Sequence, residues 1–101
     1  MLGLLTHLTD HYQIRSNRES GYGRYDVLMI PYQKTEPGFI FEFKKVNKSE
    51  EKNETEAMKS ALKQIQEKQY AVELREQGVK KIWGIGVVVK GKKVWVKNIA
   101  L

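Results

Sequence analysis

Two apolar runs, each interrupted by charge and joined by a short polar connection, leave this chain few ways to fold. The first is Tyr25-Asp26-Val27-Leu28-Met29-Ile30. The second is Phe39-Ile40-Phe41-Glu42-Phe43-Lys44-Lys45-Val46, and Pro31 and Gln33-Lys34-Thr35-Glu36-Pro37-Gly38 lie between them. So short a connection between strands predicts an antiparallel hairpin. Apart from Glu42 and the lysines the second run is apolar on both faces, as in a sheet covered on both sides. Side chains two apart on a strand share a face, so Glu42 and Lys44 point the same way. The hairpin can set Asp26 beside them, although its register cannot be read from the pattern. Carboxylates and an ammonium are costly to bury without partners. One solution is a buried salt bridge between Lys44 and one of the carboxylates. The other is a divalent cation between Asp26 and Glu42, with Lys44 serving an attacking water or a phosphate, and that arrangement suits phosphodiester hydrolysis.

The rest of the pattern builds an α/β domain around a mixed sheet, one domain over residues 1–101. Leu2, Leu4, Leu5 and Leu8 form a helical apolar face from the first residue, with no cap ahead of it. This reads as the second half of a longer helix, either cut away at its start or covered by a partner, and it points to a homodimer or larger assembly. Tyr12 to Ser16 predicts a short strand. Asn17 to Gly23 predicts a turn, with Gly21 and Gly23 permitting close approach of a ligand. Glu54 to Gln77 reads as one long helix that buries Met58, Ala61, Leu62, Ile65 and Val72 and ends at Gly78. Lys81 to Val89 predicts a buried strand, and beyond the Gly91 turn Lys93 to Asn98 returns as the last.

Composition narrows the partners. The net charge of +6 would attract a polyanion, nucleic acid being the commonest. Cysteine is absent, so disulfides and thiolate metal sites are excluded, and any metal must take oxygen or imidazole ligands. Mg²⁺ or Mn²⁺ suits such a set better than structural zinc. No apolar stretch approaches the roughly 20 residues that cross a bilayer, and the opening segment lacks the pattern of a signal peptide. A cytoplasmic protein is expected. His7 and His11 have helical i,i+4 spacing but no evident third ligand, and Trp83 and Trp95 read as packing residues.

Gly21-Tyr22-Gly23-Arg24-Tyr25-Asp26, the hairpin, and Phe41-Glu42-Phe43-Lys44 resemble the core signature of the PD-(D/E)XK nuclease superfamily. The helix Ala61-Leu62-Lys63-Gln64-Ile65-Gln66-Glu67-Lys68-Gln69-Tyr70 follows where that superfamily expects one. The resemblance runs from Leu4 to Val96 and is nearest to the branch at the C-terminus of bacterial AAA-ATPase-like proteins. An isolated E-x-K is a weak signal, but the ordered set is specific. The resemblance implies an α-β-β-β-α-β restriction-endonuclease-like core, here with an extra C-terminal strand. It implies that Asp26, Glu42 and the Phe43 carbonyl bind Mg²⁺, that Lys44 orients the attacking water and stabilises the phosphate, and that products carry 5′-phosphate and 3′-hydroxyl ends. It also implies a DNA substrate in preference to RNA and an attached ATPase-like partner. Gln64, at the edge of the buried helical face, is a further candidate for positioning water or phosphate. Glu19 offers an extra carboxylate for the metal, its alternative being a hydrogen bond to Arg18 or the backbone. Arg18, Arg24, Lys45 and Lys68 are candidates for holding the nucleic-acid backbone, against an alternative of plain surface charge.

Overall fold

The computed structural model describes residues 10–19, 24–47 and 54–101, with side chains over 10–16, 26–47 and 54–101. Alternating apolar residues give strands β1 (Tyr12–Glu19), β2 (Arg24–Pro31), β3 (Gly38–Val46), β4 (Ile82–Lys90) and β5 (Lys93–Ala100). They form a five-stranded mixed sheet in the order β1-β2-β3-β4-β5. The β2–β3 pair is antiparallel, as the short connection predicts, and its register puts Asp26 directly opposite Glu42. β3 and β4 run parallel, from Gly38 opposite Ile82 to Val46 opposite Lys90. A parallel pair needs a long crossover, and here helices α1 (Glu54–Glu67) and α2 (Tyr70–Glu76) supply it.

Several expectations need correction. β1 does not stop at Ser16: it pairs with β2 from Tyr12 opposite Pro31 to Glu19 opposite Arg24. Asn17, Arg18 and Glu19 are therefore strand residues, and Glu19 is not in the turn. The segment 54–77 is not one helix, because it breaks at Gln69, which adopts left-handed φ 58° and ψ 23°. The break shifts the helical phase, so Val72 is 47% exposed and Leu74 is buried in its place. Gly78, at φ 95°, ends α2 as expected, its N–H donating to the Arg75 carbonyl at 2.9 Å. The Leu2–Leu8 helical face, His7 and the Gly21–Gly23 turn lie outside the described residues, while Asp10 and His11 are helical.

α1 buries Ala57, Met58, Ala61 and Ile65 on the sheet face that carries Leu28, Ile40 and Val88. Close approach requires Gly86 in β4, where an added Cβ would stand 2.7 Å from the Met58 sulfur. α2 adds Leu74, and the Arg15 guanidinium of β1 holds Glu73 of α2 at 2.8 and 2.9 Å. Both α1 and α2 lie on this face. The opposite face carries the half-buried row Phe39, Phe41 and Phe43, with ring centroids 6.3 and 6.0 Å apart.

Candidate active site

The strand alternation that buries Leu28, Ile30 and Ile40 also carries Asp26, Glu42 and Lys44 to the helix-covered face. These three are the buried charged residues among those described, at 0%, 1% and 6% exposure. Cross-strand partners on one face of an antiparallel pair lie about 5 Å apart at Cβ, so Asp26 and Glu42 stand side by side. Such carboxylates repel each other in a medium of low dielectric unless a cation or a proton intervenes. Here a cation does. The Lys68 ammonium donates to Asp26 Oδ1 and Oδ2 at 3.1 Å each and to Glu42 Oε2 at 3.5 Å. The Tyr70 hydroxyl donates to Asp26 Oδ2 at 2.9 Å. Burial pushes the Asp26 carboxyl up, but its hydrogen-bonded contacts with Glu42, Lys68 and Tyr70, together with the Lys68 charge, hold it below the ordinary carboxylate value.

The helix break makes this possible. Residues two apart on a continuous helix point about 200° away from each other. The left-handed Gln69 between Lys68 and Tyr70 brings both side chains onto one carboxylate. Lys44, two residues beyond Glu42, donates from its ammonium to the Ser60 hydroxyl of α1. Gln64 lies one helical turn from both Ser60 and Lys68 on the same flank, half-buried, and its carbonyl accepts the Lys68 N–H at 3.0 Å.

The structure therefore brings together Asp26, Glu42, Lys44 and Lys68, with Gln64 on the adjoining helix flank. Lys68, a candidate for holding the nucleic-acid backbone with plain surface charge as the alternative, lies between the two carboxylates. Lys45 is exposed and alternates to the opposite face from Lys44, so it does not join them. The Phe43 ring also faces away, leaving only its main chain on the line of the site. Arg24 pairs with Lys44 across the β2–β3 hairpin, and Arg18 with Tyr25 across β1–β2; their side chains and that of Glu19 lie outside the described set. Sequence reasoning missed Ser60 and the contact of the Tyr70 hydroxyl with Asp26. Ser60 could have been found, since it precedes Gln64 by one turn. Tyr70 could not, because its orientation depends on the break.

Two buried carboxylates, a lysine two residues on and a crossover helix packed over them form one cluster on an α/β domain. The sequence model of the PD-(D/E)XK nuclease superfamily matches residues 1–99, and the chain belongs to that superfamily. No curated protein and no solved structure gives a match.

Proposed function

We propose that this protein is a metal-dependent nuclease that hydrolyses nucleic-acid phosphodiester bonds, DNA in preference to RNA. The observation that carries this reading is the pairing of Asp26 with Glu42 on the face that also holds Lys44. The donor set suits Mg²⁺ or Mn²⁺: hard carboxylate oxygens that already draw a cation between them. Among the described residues no three carboxylate, imidazole or thiol side chains cluster. Asp26, Glu42 and the Phe43 carbonyl would therefore hold the ion, and water would complete its shell. When bound, such an ion makes an attacking water more acidic and stabilises charge on the scissile phosphate.

The chain's own groups do the rest. Ser60 fixes the Lys44 ammonium on the carboxylate face, where it can orient the water and donate to a phosphate oxygen. Gln64, on the flank between Ser60 and Lys68, is placed to accept from or donate to the same water. Arg18, Arg24 and Lys45 are assigned to the nucleic-acid backbone, Lys45 from the opposite face of the sheet to Lys44, and Glu19 to an auxiliary carboxylate role. A homo-oligomer or an attached ATPase-like partner and a cytoplasmic location complete the reading. Among the described residues no helix is long and apolar enough to cross a membrane.

A second reading has one observation in its favour. Lys68 satisfies both carboxylates, as in a structural ion pair, and this suits a non-catalytic nucleic-acid-binding or assembly module of the same fold. Cleavage of plasmid and single-stranded DNA with Mn²⁺ separates the two. The nuclease reading expects wild type to cut and a folded Lys44→Ala to lose at least about 100-fold in rate. Absence of both cleavage and Mn²⁺ binding would establish the module instead.

A further inference from the structure

Lys68 occupies the place where the two carboxylates converge, and this has a consequence for any metal they take. A divalent ion shared by Asp26 and Glu42 must contact an oxygen of each at about 2.1 Å. The Lys68 nitrogen lies 3.1 Å from both Asp26 oxygens and 3.5 Å from Glu42 Oε2, facing the same lone pairs. Both cations cannot use them at once. We infer that Lys68 is a resident counter-ion of the carboxylate pair, that a divalent metal binds only by displacing it, and that Lys68 thereby sets the metal affinity of the site. This rests on the nuclease reading above.

Charge makes the same point. With both carboxylates ionised, Asp26, Glu42, Lys44 and Lys68 sum to zero, so a divalent ion added with nothing released would take these four groups to a charge of +2. One group is built to leave. The side chains of Asp26 and Glu42 are 0% and 1% exposed, whereas that of Lys68 is 21% exposed. Its contacts with the three carboxylate oxygens are long for charge-assisted hydrogen bonds, which close to about 2.8 Å. Its backbone stays anchored, the N–H donating to the Gln64 carbonyl at 3.0 Å. Rotation of the four-carbon stem is then enough to carry the ammonium to solvent without moving the helix. Lys44 is held differently: it is 6% exposed and tied to Ser60. The left-handed Gln69 aims both Lys68 and Tyr70 at Asp26, so displacement of Lys68 leaves Tyr70 to keep that carboxylate in place.

The test is Mn²⁺ binding by calorimetry at pH 8 on wild type, Lys68→Met, Lys68→Arg and the control Lys63→Met. Lys63 sits on the same helix with its side chain 74% exposed and corrects for the general loss of one positive charge. Hydrogen bonds to charged groups are strong enough that Lys68→Met is expected to bind Mn²⁺ about tenfold more tightly than wild type. Lys68→Arg, which keeps a permanent cation, should bind no more tightly, and Lys63→Met should shift affinity by less than about twofold. Thermal melts in EDTA establish that each variant folds. Wild type supplies an independent measurement: lysine-ammonium NMR should show the Lys68 signal protected in EDTA and lost to solvent exchange on saturation with Mg²⁺. An affinity of Lys68→Met equal to or weaker than wild type, or a Lys68 signal unmoved by Mg²⁺, would overturn the inference while leaving the nuclease reading intact. Failure of every variant to bind Mn²⁺ would remove both.

Discussion

Tyr70 shows how much a single hydroxyl can contribute at this site. Its ring packs against the buried cluster that includes Leu28, Ile40, Ile65 and Leu74, while its O–H reaches Asp26 at 2.9 Å. Tyr70→Phe keeps the ring and removes only that donor. A hydrogen bond to a buried charged group is worth about 1.5–3 kcal/mol, and Lys68 remains on Asp26, so a loss near about 1.5 kcal/mol is expected. The pH dependence has a definite sign. Asp26 is held below its unfolded value, in part by Tyr70. Its contribution is therefore full above the unfolded carboxylate range and is lost as pH falls through the folded value. Denaturant titrations in EDTA should show the Tyr70→Phe deficit at neutral pH and its disappearance in acid, once Asp26 is protonated in both proteins. A deficit that persists unchanged in acid would place the role of Tyr70 in packing rather than in holding the carboxylate.

Among the elements, the break between α1 and α2 organises the site and was the least visible in the sequence. The β2–β3 hairpin was legible because Pro37-Gly38 and the polar connection mark it, and alternation named Glu42 and Lys44 as facing one way. The pairing of Asp26 with Glu42 was not, since register depends on how the turn closes. Residues 54–77 read as a single helix because nothing between them is a glycine or proline, and a glutamine carries no signal for left-handed geometry. Without the break Val72 reads as a core residue, and nothing points Lys68 at the carboxylates. A non-glycine residue in the left-handed region carries strain of about 1 kcal/mol. Gln69→Gly should therefore raise unfolding free energy by up to about 1 kcal/mol, less whatever the unfolded chain gains in freedom. The Asp26 contacts should survive it. Chemical denaturation checks the first expectation, and Mn²⁺ affinity close to that of wild type checks the second. A destabilised Gln69→Gly would mean that the glutamine side chain, not the backbone geometry, maintains the break.

Across the whole molecule, the charge balance separates the site from the surface around it. With both carboxylates ionised, the cluster of Asp26, Glu42, Lys44 and Lys68 is formally neutral, two carboxylates against two ammonium groups, so the net charge of +6 is carried by the other residues. On the proposed function this charge attracts a polyanion while the carboxylate pair takes a cation, and the two kinds of binding should respond differently to salt. Surface attraction works through release of counterions condensed on the nucleic acid, and each neutralised phosphate adds about 0.9 to the log–log salt slope for duplex and about 0.7 for single strands. A domain of this size has room for only a few such contacts, so a slope of roughly −2 to −4 in NaCl is expected for the cleavage-impaired Lys44→Ala protein on short DNA. Metal affinity at the buried carboxylates should change much less across the same range, because low dielectric surroundings are poorly screened. Fluorescence anisotropy for DNA and calorimetry for Mn²⁺, run in parallel from low to moderate salt, make the comparison. A flat DNA slope would mean that the positive exterior does not meet the phosphate backbone, and the basic surface would then be a matter of solubility rather than of substrate capture.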